Sequence, residues 1–151
     1  MRRGTLVLLV VIAVGCEASS GDDSRSTETA EESPMRVQRT LFEKGKTVFS
    51  GRCAVCHGDN ADGSGPMARA MEPPKPADFR QDRYASMPVD SIRRVIVQGG
   101  GATGRNPRMP AWGDELTDEQ IEAVIAFLRS VSRFGQVPTE QQIRDASWVV
   151  N

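Results

Sequence analysis

Two thiols and an imidazole stand within five consecutive residues, Cys53-Ala54-Val55-Cys56-His57. Each thiol of a C-x-x-C-H run can add to one vinyl group of a haem, and the adjacent imidazole is then held under the iron as an axial ligand. Two other chemistries use a C-x-x-C pair: half of a zinc site and a dithiol redox couple. A structural zinc site asks for about four protein ligands. The whole chain has three Cys and one His, and Cys16 lies in a stretch that reads as processed, so no second pair completes such a site. A redox couple of the thioredoxin type belongs in a βαβ setting, whereas the flanks here are helically patterned and Gly-rich. Covalent attachment of one haem c through Cys53, Cys56 and His57 is therefore the expected chemistry.

A haem is a large, mostly apolar body, so the rest of the chain must fold a pocket around it. The 151 residues suit one domain, and 38% hydrophobic content with a mean hydropathy of −0.39 describes a soluble body. A net charge of −1 argues against a nucleic-acid partner. Residues 38–50 read as a helix leading into the motif, with Leu41, Val48 and Phe49 on its apolar stripe. Residues 58–66 carry loop chemistry, residues 67–71 have room for one helical turn, and Pro73-Pro74-Lys75-Pro76 forces extended backbone. A second helix is expected over 89–98, burying Ile92, Val95 and Ile96, with Gly99 as its C-terminal cap and a loop from there to Gly113. Arg93 and Arg94 read as solvated surface. Thr117 and Gln120 form a capping box opening the last major helix, whose stripe is Ile121, Val124, Ile125, Leu128 and Val131 with Phe127 beside it. Thr139 and Gln142 can cap one more short helix through Ala146, and Trp148-Val149-Val150 is an apolar tail.

The N-terminus reads as an export signal. Arg2 and Arg3 precede a short apolar run, residues 6–14, which falls short of the roughly 20 residues a bilayer span takes. Ala13-Val14-Gly15-Cys16 resembles a bacterial lipoprotein cleavage box, which implies lipidation of Cys16; an ordinary secretory signal is the alternative. With Cys16 lipidated and two thioethers formed, no odd thiol remains. Six acids and Arg25 dominate the following polar stretch, a linker expected to reach roughly 20–25 Å as a flexible coil. The expected organisation is signal peptide 1–15, lipidated Cys16 and linker to 35, a domain over 36–135 and a C-terminal extension over 136–151.

Over about residues 38–134 the chain resembles the class I, single-haem cytochromes c. Gly45 and Phe49 match the G-x-x-x-F of that family's first helix, Pro76-Ala77-Asp78-Phe79 matches a recurrent P-A-D-F, and Met109-Pro110-Ala111-Trp112 is similar to its M-P-x-aromatic signature. The resemblance implies an all-α fold of three main helices around one covalent haem c, with the first helix crossing the last near Gly45 and Phe49. It implies that Met109, bracketed by Pro107 and Pro110, is the sixth ligand opposite His57, and that the Pro66 carbonyl accepts a hydrogen bond from His57. Met67, Met71 and Met87 read as core filler. The implied function is one-electron transfer with redox protein partners, not enzymatic catalysis, by a carrier tethered through its lipid on the periplasmic side of the inner or outer membrane. A cytochrome subunit of a larger membrane redox enzyme is an alternative, as is a haem enzyme or gas sensor with a labile sixth ligand and Arg105 or Arg108 as distal donor.

Overall fold

The computed structural model describes residues 34–145. The signal peptide, Cys16, the linker up to residue 33 and the Trp148-Val149-Val150 tail lie outside the described residues. All regular structure among the described residues is helical. Helix α1 (Pro34–Arg52) starts at a proline, whose missing N–H costs nothing in a first turn. It begins four residues earlier than its apolar stripe suggests. Its buried face is Phe42, Gly45 and Phe49; Leu41 is only partly covered, so Phe42 takes the core position expected for Leu41.

A short helix, α2 (Ala54–His57), follows directly, and residues 58–65 loop back over it. A 3₁₀ turn, Pro66–Ala70, supplies the single turn expected over 67–71. Helix α3 (Arg83–Ser86) is one turn that no sequence pattern announces. Helix α4 (Val89–Ala102) buries Ile92 and Ile96, and its first, regular part ends at Gly99 as expected. With φ +78° and ψ 174° Gly99 breaks the helical backbone, and a separate short turn follows through Ala102, which the sequence did not announce.

Helix α5 (Asp118–Phe134) begins with the expected capping box: the Thr117 hydroxyl accepts from Gln120 N, and the Gln120 side chain accepts from Thr117 N. Ile121, Val124, Ile125, Phe127, Leu128 and Val131 are all buried, and Gly135 closes the helix in the left-handed conformation. Helix α6 (Glu140–Arg144) has the same box from Thr139 and Gln142 and places Ile143 in the core against α1; it stops two residues before Ala146.

Helices α1 and α5 form the main packing interface. They meet at Gly45, where a side-chain carbon would fall 2.5 Å from the Ala123 carbonyl carbon and 2.9 Å from Phe127 Cβ. No side chain fits there, so the backbones touch, and Phe42, Phe49 and Phe127 cluster beside the crossing with ring centroids 4.9–5.5 Å apart around Phe127. This crossing aims the C-terminal end of α1, and with it α2, at the face of α5 that carries Val124 and Leu128.

Candidate functional site

The helix register presents the three reactive groups together. Cys53 N donates to Phe49 O (2.8 Å) and His57 N donates to Cys53 O (2.9 Å), so the backbone continues helically from α1 into α2. Cys53, Cys56 and His57 then stand at i, i+3 and i+4, on one face. All three line a cavity of about 290 Å³ whose walls are largely aliphatic and aromatic, among them Phe49, Phe79, Ile92, Ile96 and Leu128. Met109 lines the same cavity. Thus every expected site residue within the described part of the chain reaches one place.

His57 is held by neighbouring rings and at one nitrogen. Its ring packs on Phe79 (centroids 4.8 Å, 35° between planes) and lies 6.4 Å from Phe49. Its Nδ1–H donates to the Ala77 carbonyl at 3.2 Å. A carbonyl can only accept, so the proton sits on Nδ1 and the Nε2 lone pair is left for another partner. Burial pushes the His57 pKa below its ordinary value, against the smaller opposing effect of the Ala77 bond, so the ring is neutral at neutral pH. The acceptor is Ala77, not the expected Pro66. Pro66 opens the 3₁₀ turn and faces solvent, while the 76–79 strand of chain, held by Phe79 N donating to Ala61 O (2.8 Å), runs past the imidazole.

The thiols are unpaired, and burial first, then the neighbouring Cys56, pushes Cys53 up to about 12. Among the described residues no group of three or more His, Cys, Asp and Glu side chains is arranged to hold a metal ion.

The Met109 segment is stitched to the end of α4. Gly100 N donates to Met109 O (2.9 Å), Met109 N to Asn106 O (3.1 Å), Trp112 N to Ile96 O (3.0 Å) and Gly113 N to Val97 O (3.2 Å). A side chain at Gly100 would lie 3.1 Å from Met109 Cβ, so the loop folds tightly over that glycine. Met71 and Met87 also line the cavity, whereas Met67 is half exposed and is not core filler at all.

Five cations line the cavity, Arg52, Lys75, Arg83, Arg105 and Arg108, and no carboxylate does. Sequence reasoning picked out only Arg105 and Arg108 among them. Arg93, by contrast, is tied to Asp118 and Glu122 on the surface, as its solvated reading requires. A neutral imidazole with a fixed tautomer, a soft thioether, two free thiols, apolar walls and a lining that holds cations but no carboxylate fit a haem c with its two propionates.

Comparison with known proteins identifies the family. Residues 42–132 match the cytochrome c family. The chain belongs to the cytochrome c family. It is 31% identical over 87 residues to cytochrome c6 of Bryopsis maxima, covering 58% of this chain and 88% of that protein. It is 32% identical over 94 residues to cytochrome c6 of Cladophora glomerata, covering 61% and 90%. It is also 32% identical over 89 residues to the cbb3-type cytochrome c oxidase subunit CcoP of Azospirillum brasilense, covering 59% of this chain but only 28% of that longer protein. As a cytochrome c, the chain carries covalent haem c in an all-α fold and transfers electrons; it is not an enzyme.

Proposed function

We propose that Cys53 and Cys56 hold the haem by thioether bonds, that His57 and Met109 are its axial ligands, and that the carrier works at the periplasmic membrane surface, tethered through lipidated Cys16. The observation that carries the ligand assignment is the convergence of all four side chains on one apolar cavity, with His57 Nδ1 already engaged. Bound there, the haem supplies a one-electron ferric/ferrous couple.

The chain's own residues set the conditions for that couple. The Ala77 carbonyl fixes the imidazole's rotation and raises its basicity as a ligand. The apolar walls keep water away and favour the less charged, reduced form. The rim cations offset propionate charge in a setting of lowered dielectric. With His57 and Met109 both holding the group, these residues would leave no place for a substrate, so partners would exchange electrons, and redox proteins are the expected class.

Resemblance to CcoP supports a second reading, a subunit of a larger redox complex. Potentiometry tests the ligands: native protein should titrate as one electron, and Met109→Ala should lower the midpoint sharply. An unchanged midpoint and visible spectrum in Met109→Ala would reject the assignment. For the tether, Cys16→Ser should move the protein from the membrane to the soluble periplasmic fraction; co-purification with fixed partners after mild detergent extraction would select the subunit reading.

A further inference from the structure

The loop that presents Met109 has few hydrogen bonds of its own to offer, because Pro107 and Pro110 carry no N–H. Asn106 makes up the deficit. Its side-chain Oδ1 accepts from Arg108 N (2.9 Å), closing a tight turn just before Met109. Its Nδ2 donates to two carbonyls on a different segment, Glu72 O (3.0 Å) and Pro74 O (2.8 Å). Two carbonyl acceptors on one end and an N–H donor on the other leave only one orientation for the amide. Its own carbonyl accepts from Met109 N at 3.1 Å.

The two segments so joined are walls of the same cavity. Met71, Pro74 and Lys75 come from one, and Arg105, Arg108 and Met109 from the other. The Asn106 amide therefore bridges the cavity's rim, and the bridge is anchored one hydrogen bond from the Met109 backbone.

We propose that Asn106 is the positioning residue of the Met109 loop: by pinning residues 105–110 to residues 72–74 it sets how readily an outside ligand displaces the Met109 thioether. The proposal rests on the assignment of Met109 as axial ligand. Without the bridge the loop keeps only its backbone bonds, Gly100 N to Met109 O and Arg105 N to Gly100 O among them, and holds the sulfur less firmly against an outside ligand.

The test is imidazole binding to the ferric holoprotein, followed by the visible spectrum, in the native chain and in Asn106→Ser, Asn106→Asp, Met109→Ala and Ile143→Ala. Serine keeps an acceptor for Arg108 N but cannot reach both carbonyls. Its imidazole affinity should rise on the order of tenfold, the scale set by two lost neutral hydrogen bonds. Aspartate keeps the turn but sets a carboxylate against two carbonyls, so its rise should be larger. Ile143→Ala loosens the α6–α1 contact away from the cavity; it should lower the thermal midpoint and leave imidazole binding native. Native imidazole binding in Asn106→Ser and Asn106→Asp, with an open site in Met109→Ala, overturns the proposal alone. An equal rise in Ile143→Ala also overturns it, because general loosening then explains the effect. Native binding in Met109→Ala rejects the ligand assignment and the proposal together.

Discussion

Replacing Gly45 by alanine sets helix propensity against packing, and the structure decides which wins. In an isolated helix the change is favourable by about 1 kcal/mol. At the α1–α5 crossing the new methyl would lie 2.5 Å from the Ala123 carbonyl carbon, where ordinary contact begins at 3.4 Å. The obstacle is backbone, which cannot rotate aside, so the helices must part by about 1 Å, enough to forfeit a large share of the dispersion attraction across the interface. Forced insertions of this kind cost typically about 1–3 kcal/mol and occasionally more. Phe42, Phe49 and Phe127 all lose contact together, which favours the upper end. Net destabilisation of about 2 kcal/mol is expected, a fall in midpoint of about 10 °C for a domain of this size. Gly51 supplies the control within the same helix: an added side-chain carbon there meets nothing within 4 Å. Gly51→Ala should be neutral or stabilising by up to about 1 kcal/mol. Thermal and guanidinium unfolding of the two holoproteins, followed at the haem band, reads the difference. If Gly45→Ala is as stable as Gly51→Ala, the close crossing is not what the first helix needs its glycine for.

Other perturbations address the caps, the acid limb and the cavity wall. Thr117→Ala removes the α5 capping box and should cost about 1 kcal/mol in chemical unfolding, with no change in the haem spectrum. Asp62 is held below the usual carboxylate range by Ser64, and Asp78 by Arg80, so each has a depressed folded-state pKa. Their contribution to stability is present above the unfolded-state value of about 4 and is lost as pH falls through the lower folded-state values. Asp62→Asn and Asp78→Asn should accordingly flatten the acid limb of the stability profile and leave the profile above pH 6 unchanged in shape. Arg129 donates from Nε and Nη2 to Ala85 O (3.2 and 3.1 Å), holding α3 on α5. Arg129→Ala should loosen the wall that carries Tyr84 and Met87 and speed hydrogen exchange across residues 83–87; Arg129→Lys should restore part of the protection.

Much of this arrangement was legible in the chain because it rests on local rules. The i, i+3, i+4 placement of Cys53, Cys56 and His57 follows from a helical turn. The two capping boxes are written in Thr117–Gln120 and Thr139–Gln142, and the α5 stripe follows its period residue by residue. What escaped was set by chain segments meeting at a distance. The acceptor for His57 is a backbone carbonyl, and carbonyls are alike at every residue; only the path of 76–79 past the imidazole selects Ala77 over Pro66. The Asn106 bridge to 72–74 joins residues 32 and 34 positions apart, so no local pattern marks it. Leu41 and Phe42 compete for one core position, and the crossing at Gly45 gives it to Phe42. Helix α3 is a single turn held by Arg129 of a later helix, and nothing in its own four residues requires it.

The central claim is that His57 and Met109 close both faces of the haem iron. The most direct measurement is the visible spectrum of the purified holoprotein, ferric and ferrous, before and after carbon monoxide. The account predicts a low-spin c-type spectrum, a weak far-red thioether band in the ferric form that disappears in Met109→Ala, and no carbon monoxide adduct on mixing with the native ferrous protein. High-spin features with prompt carbon monoxide binding in the native protein would contradict it, because the iron would then hold an open position that Met109 does not fill.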